Sequence, residues 1–129
     1  MFCDPKAAEI VFKSGAVIRI VPLDATNEVP LNLRFLEQYQ RAALSPLAVA
    51  VGQLLERDRE VIRQGIYYAW DPLAAVALVA PEVACWKELR IRIRKDGTTE
   101  ETATGGTRAK VALNSDNARF HSLFLAAIR

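Results

Sequence analysis

Within residues 87–94, the side chains from Glu88 onward alternate strictly between charged and apolar, and this alternation is the strongest constraint on the fold. One side of the segment carries Leu89, Ile91 and Ile93, and the other carries Glu88, Arg90, Arg92 and Arg94. A period of two is typical of an antiparallel strand with one buried face. Asp96-Gly97 follows and predicts a hairpin turn, with the Thr-rich segment after it as the return arm.

Two further segments have the composition of strands. Residues 16–21 form a nearly continuous β-branched run, which predicts a strand buried on both faces of a parallel sheet, with Arg19 near an edge or paired with a carboxylate. Residues 24–27 predict a polar loop after that strand, at the end of the sheet where ligands bind in open α/β folds. Residues 110–113 predict a third strand, which follows a bend at Gly105-Gly106.

The remaining segments predict helices. Asp4-Pro5 and Asp71-Pro72 each combine a capping residue with a proline suited to the first turn, and Ser45-Pro46 does the same within the helical region 31–65. Residues 73–79 are apolar throughout, which predicts a core helix buried on all faces. Residues 114–116 predict the cap of a last amphipathic helix. Together these elements predict one α/β domain over residues 1–129.

Composition excludes several classes of protein. Seventeen basic and fifteen acidic residues give a net charge of +2, too balanced for a nucleic-acid surface. The uncharged runs, including residues 42–55 and 72–81, are too short to cross a bilayer core of about 30 Å. The first residues lack the pattern of a signal peptide. Cys3 and Cys85 are not spaced like the cysteines of a disulfide framework or of a metal cluster. We therefore expect a cytoplasmic protein that binds neither nucleic acid nor membrane.

Candidate chemical groups are few. The arginines at residues 90, 92 and 94 predict a solvated face, neutralised by carboxylates on the same hairpin. The only imidazole belongs to His121, which the sequence favours as a structural residue because neither cysteine lies in a nucleophile motif. Helix capping accounts for Asp71 without a ligand. Tyr67, Tyr68 and Trp70 directly precede Asp71, however, and aromatic walls beside a carboxylate also suit a sugar or base pocket.

Three stretches in order, residues 4–15, 21–30 and 70–75, resemble the C-terminal portion of the inosine–uridine preferring nucleoside hydrolases. The third reads Trp-Asp-Pro-Leu-Ala-Ala. The tail, with Gly105-Gly106-Thr107 and residues 117–120, is similar to the end of that family, so the resemblance covers the whole chain. It implies an incomplete nucleoside-hydrolase-like α/β fold, with a short parallel sheet segment, helices and an antiparallel hairpin. It also implies calcium-dependent hydrolysis of ribonucleosides to base and ribose.

The resemblance carries over to few residues. It implies that Asp71 is a calcium ligand, and that Trp70 stands where some members have a leaving-group histidine. With Tyr67 and Tyr68, Trp70 is expected to bind the substrate base. The family's aspartate-rich motif, which supplies its general base and most metal ligands, has no counterpart here. Met1 resembles a cut within the family pattern, so we expect no catalytic residue in this chain, weak calcium binding and no efficient activity alone.

Two hypotheses about partners follow. In the first, the chain is a truncated nucleoside hydrolase whose activity is completed by another chain. In the second, it is a degenerate, non-catalytic remnant that acts as a self-associating or binding domain. The apolar edge and face left by the missing sheet predict a partner in either case, which is a second copy in a homo-oligomer or a separately encoded N-terminal half.

Overall fold

The computed structural model describes residue 1 and residues 3–128. Within them, contacts separate two compact units. The first unit draws on residues 1–20 and 86–112, and the second on residues 21–85 and 113–129. No described helix combines the length and apolar character needed to cross a membrane.

The elements follow one another in a mixed α/β order. The helices are α1 (Pro5–Lys13), α2 (Leu23–Thr26), α3 (Leu33–Ala42), α4 (Pro46–Arg57), α5 (Arg59–Arg63), α6 (Trp70–Val79) and α7 (Asn117–Ala127). The strands are β1 (Arg19–Ile20), β2 (Ala84–Ile93), β3 (Thr99–Glu101) and β4 (Thr107–Ser115). A 3-10 turn, Pro81–Val83, separates α6 from β2 and follows the proline that ends the helix.

The sheet is mixed, with strand order β1-β4-β2-β3. β1 is parallel to β4, where Arg19 lies opposite Lys110. β2 and β3 are antiparallel, and Gly97 at their turn has a φ of 82°, a conformation that glycine adopts without a steric penalty. The α/β class, the short parallel segment and the hairpin are therefore confirmed.

The core of the first unit lies between α1 and the sheet. Phe12 is buried with Ile91, Ala109 and Val111. The Thr107 hydroxyl donates a 2.8 Å hydrogen bond to the Phe12 carbonyl oxygen, which ties the end of α1 to β4. Leu89 and Ile93 pack on the same core, as their alternation with charged residues predicts.

The prediction of a fully buried strand over residues 16–21 is wrong. β1 contains only Arg19 and Ile20, it lies at an edge of the sheet, and the side chain of Val17 is 93% exposed. The Ile18 carbonyl accepts a hydrogen bond from the Lys110 N–H of β4. β4 is the only described strand beside β1, so the other side of β1 has no neighbouring strand. A β-branched run gives a strand its conformation, whereas burial also requires a neighbour on the second side. The expected edge position of Arg19 is confirmed.

The arginine face of the hairpin is neutralised as predicted. Glu100 on β3 lies 2.5 Å from Arg94 and 3.6 Å from Arg92, and Glu88 lies 3.8 Å from Arg108. Each arginine in these pairs is more than half exposed. Such exposed pairs stabilise a fold weakly, so they indicate a solvated surface.

The second unit is mainly helical, and its caps follow the sequence. Ser45 Oγ accepts from the Ala48 N–H at 3.2 Å to begin α4, and Asp116 accepts from the Arg119 N–H at 2.9 Å to begin α7. The large buried side chains of this unit include Phe35, Leu36, Tyr39, Leu73 and Phe120.

Two predictions for this unit are wrong. Residues 24–27 do not form a polar loop, because residues 23–26 form α2 and bury Ala25 and Thr26. The apolar helix α6 is not buried on all faces either. Leu78 and Val79, at its end, are 72% and 81% exposed.

Candidate functional site

A short pair of extended segments leads into α6. The Leu31 N–H donates to the Tyr67 carbonyl at 2.9 Å, and the Ala69 N–H donates to the Val29 carbonyl at 3.0 Å. Between these bonds Pro30 and Tyr68 form an antiparallel bridge. We call residues 29–31 and 67–69 the strand pair. Since Ala69 is fully buried and directly precedes α6, the strand pair fixes where that helix begins.

Three aromatic rings meet at the start of α6. The Trp70 ring centroid lies 5.5 Å from that of Tyr67 and 6.0 Å from that of Tyr68, both in tilted arrangements. The Trp70 side chain is 40% exposed. The structure therefore brings together the three aromatic residues that the resemblance implies for base binding, and leaves part of the indole accessible.

The hydroxyl of Tyr67 has a polar partner that the sequence did not reveal. It is the Asp58 carboxylate, at the end of α4. Partial burial, and then hydrogen bonding with Asp58 and its charge, raise the pKa of Tyr67. The phenol of Tyr67 therefore stays protonated beside this carboxylate.

Asp71 does not cap α6, so the capping explanation of this residue is wrong. The helix begins one residue earlier, at Trp70, and its N-cap is Ala69, which makes no side-chain capping bond. Asp71 lies exposed in the first turn, and its carboxylate has no hydrogen bond or ion pair with any described residue. By contrast, Asp4 accepts a 2.9 Å bond from the Ala7 N–H. The Asp71 carboxylate is thus available to a ligand.

The described residues do not by themselves fit a calcium ion. Calcium takes six to eight oxygen ligands, usually from several carboxylates and carbonyls. Over residues 1 and 3–128, no three His, Cys, Asp or Glu side chains lie close enough together to hold a metal. Asp71 can supply one ligand, and a complete site requires donors from other residues.

His121 lies on α7 among aromatic rings. Its ring centroid is 4.7 Å from that of Phe35 and 5.8 Å from that of Phe120. Burial lowers the pKa of His121, and a hydrogen bond to the Pro30 carbonyl opposes that shift in part. Both cysteines, Cys3 and Cys85, are free and exposed.

Comparisons with known proteins agree with this architecture. The chain is 37% identical over 87 residues to Nucleoside hydrolase 3 of Arabidopsis thaliana, which covers 62% of this chain and 10% of that protein. It is 30% identical over 100 residues to Uridine nucleosidase 1 of the same plant, covering 75% of this chain and 30% of the relative. The chain therefore spans less than a third of the length of either curated relative.

A solved structure gives the same result for the fold. The inosine-uridine preferring nucleoside hydrolase from Bacillus anthracis superposes with a TM-score of 0.77 at 24% identity, over 97% of this chain and 40% of that one. The family model described as inosine-uridine preferring nucleoside hydrolase matches residues 1–122. On this match, which extends over nearly the whole sequence, the chain belongs to the inosine-uridine preferring nucleoside hydrolase family.

Proposed function

We propose that this chain contributes the base-side wall and one carboxylate to a ribonucleoside hydrolase site that residues outside the chain complete. The reaction is hydrolysis of the N-glycosidic bond. The bond between the anomeric carbon and the base nitrogen breaks, water supplies the oxygen that joins the anomeric carbon, and a proton goes to the departing base. The observation that supports this function is the exposed Asp71 carboxylate, unpartnered among the described residues and adjacent to an aromatic cluster.

The aromatic group suits a nucleobase. A ring stacked on an aromatic side chain gains about 1–3 kcal/mol in nucleic-acid complexes, and any base has a face that can stack. Trp70 presents an exposed part of its indole, while the contacts of Tyr67 and Tyr68 restrain it. The indole N–H is a donor without a titratable proton, so Trp70 would hold the base but would not act as its general acid.

The Asp71 carboxylate would supply one oxygen ligand on the ribose side of the site. In its family, the corresponding aspartate ligates calcium, which holds the ribose hydroxyls and lowers the pKa of a water molecule. The described residues alone do not fit this ion. The general base and the remaining ligands belong to a completing polypeptide that carries the rest of the fold.

The test is an assay of the completed enzyme. The chain is purified from its source with its bound partner in calcium-containing buffer, and the complex is assayed on inosine and uridine. Asp71→Asn preserves the shape of the side chain and is expected to abolish hydrolysis. Glu37→Gln, an equally conservative change at an exposed position on α3, is the matched control and is expected to keep it. Unchanged activity in Asp71→Asn would exclude the proposed role of this carboxylate.

A second candidate function is a non-catalytic binding or self-associating domain. The lack of a metal-binding cluster over residues 1 and 3–128 favours it. It predicts that nucleoside and calcium together leave the melting temperature unchanged, since a ligand that binds the native state must raise it. A rise that requires both would rule this candidate out in favour of the hydrolase.

A further inference from the structure

The outer edge of β1 is open. β4 is the only strand beside β1 in the described sheet, and Lys110 of β4 is the register partner of Arg19. The Lys110 N–H donates to the Ile18 carbonyl at 2.9 Å. Since successive backbone groups of a strand point to opposite edges, the N–H and the carbonyl of Arg19 point away from β4. A donor and an acceptor are therefore presented together where a further strand can pair.

The two faces of β1 are covered unequally. Ile18 and Ile20 pack on the core of the first unit, which contains Phe12 of α1. Side chains alternate along an extended segment, so Val17 and Arg19 project from the opposite face. Both are exposed, Val17 to 93%. The open edge thus carries one apolar and one cationic side chain on the face away from the core.

Two cations lie opposite each other on this face. Arg19 and Lys110 are register partners, and such partners project from the same side of a sheet. In the part of the chain that the structure describes, neither side chain has a hydrogen bond or an ion pair. The hairpin carboxylates Glu88 and Glu100 pair with other arginines. A like-charged pair in this position destabilises a sheet, and an approaching carboxylate removes the penalty.

We infer that the open edge of β1 binds an acidic strand of the completing polypeptide, which places a carboxylate beside Arg19 and Lys110. Backbone hydrogen bonds to Arg19 give this strand its affinity, and the two cations select its charge. The inference rests on the proposed function, since the completing polypeptide is part of that proposal. A second copy of this edge suits the position less well, because residues 16–20 contain one arginine and no carboxylate.

A purely protective role for Arg19 is the alternative. Short edge strands and charged side chains on them prevent unwanted pairing with other chains, and β1 has two residues, one of them charged. Two observations favour the acidic strand instead. A protected edge does not require an exposed valine two residues before Arg19. Lys110, directly opposite, makes the second cation unfavourable for the chain alone.

The probe is a short fluorescent peptide in which valine and glutamate alternate, so that an extended peptide has one apolar and one acidic face. Its binding to the full chain is measured by fluorescence polarisation, beside a peptide of the same composition with its valines and glutamates in separate blocks. We expect the alternating peptide to bind about tenfold more tightly, since only it can present glutamates to Arg19 and valines to the opposite face. Hydrogen exchange followed by NMR is expected to show protection of the Arg19 amide, which an ionic contact alone would not produce.

Charge reversal tests the role of the cation. Arg19→Glu is expected to weaken binding of the valine–glutamate peptide about tenfold and to favour a valine–lysine peptide, since an attraction becomes a repulsion. Its melting temperature is expected to rise, because a carboxylate at this position attracts Lys110, so the lost binding is not a loss of folding. Arg34→Glu, the same change at an exposed position on α3, is the control and is expected to bind each peptide as the parent does.

Several results would overturn the inference. If no peptide binds, Arg19 has the protective role. If the block peptide binds equally well, or the preference for glutamate persists in Arg19→Glu, the contact is a non-specific attraction of charges. Protection of the Arg19 amide in concentrated chain without peptide would show that a second copy occupies the edge. No nucleoside is present in these measurements, so their failure is distinct from a failure of the proposed activity.

Discussion

The hydroxyl of Tyr39 on α3 donates a 3.1 Å hydrogen bond to the carbonyl oxygen of Ala48 on α4, and both residues are buried. Gly52, one turn further along α4, lies beneath the same ring, where an added Cβ would come within 3.3 Å of Tyr39 Cε1. α4 therefore accommodates the Tyr39 side chain in two ways. The Ala48 carbonyl accepts its hydrogen bond, and Gly52 leaves room for its ring.

Tyr39→Phe is expected to lower the free energy of unfolding by about 1 kcal/mol, the usual net value of one hydrogen bond. The loss stays moderate because the Ala48 carbonyl keeps its own helical partner. Urea denaturation followed by circular dichroism measures it. Tyr68→Phe is the control, since the Tyr68 hydroxyl has no bond within the described part of the chain, and an equal loss there would contradict the assignment.

The two Asp-Pro helix starts should respond differently to alanine. Asp4→Ala removes the capping bond to Ala7 and is expected to destabilise the protein by about 1 kcal/mol. Asp71→Ala removes no bond, and its effect should stay near 0.5 kcal/mol or less, the contribution of a charge near an exposed helix N-terminus. Thermal melts of both variants test this, and an equal loss would show that Asp71 has a structural role after all.

The two glycines between β3 and β4 offer a second matched pair. Both have positive φ values, 68° at Gly105 and 65° at Gly106. Alanine at Gly105 meets only the far end of Arg92, and should cost about 1–2 kcal/mol for the left-handed backbone. At Gly106 the new Cβ would lie 2.8 Å from the Ile91 carbonyl oxygen, which raises the expected loss to about 3 kcal/mol or more. Denaturant midpoints of Gly105→Ala and Gly106→Ala measure the difference.

Stability should fall as pH drops below the ordinary histidine pKa of 6.5, because the pKa of His121 is lowered in the folded protein by burial. Between the unfolded and folded pKa values the unfolded chain binds the extra proton, so its population grows. Above 6.5 this contribution is fully present. Its neighbours Phe35, Phe120 and Pro30 do not titrate.

The measurement is the melting temperature between about pH 8 and pH 5. Histidine ordinarily titrates within this range, whereas carboxylates ordinarily titrate below it. His121 is the only histidine of the chain, so His121→Phe should flatten this dependence. A slope that persists in the variant would assign the effect to another group.

Local patterns in the sequence predicted local structure well. The alternation of residues 87–94 gave the hairpin, and Asp4, Ser45 and Asp116 all cap the helices expected of them. Each of these features depends on residues a few positions apart.

The errors share a different cause. The burial of residues 16–21 depends on whether a neighbouring segment covers them, and the start of α6 is set by hydrogen bonds from residues 29–31. The Tyr39–Ala48 and Thr107–Phe12 hydrogen bonds likewise join separate elements. A local sequence pattern does not indicate which distant residues come into contact. The aromatic residues around Asp71 were visible only because they are adjacent in the chain.

The bond between Thr107 and Phe12 joins residues 95 positions apart, and it has a consequence for biosynthesis. The partners that bury Phe12, namely Ile91, Ala109 and Val111, all emerge from the ribosome long after α1. At a synthesis rate of about 5–20 residues per second, several seconds pass between the synthesis of α1 and that of the residues that bury it. During that interval its apolar side is open to chaperones, so the first unit is expected to complete its core only after β4 has been synthesised.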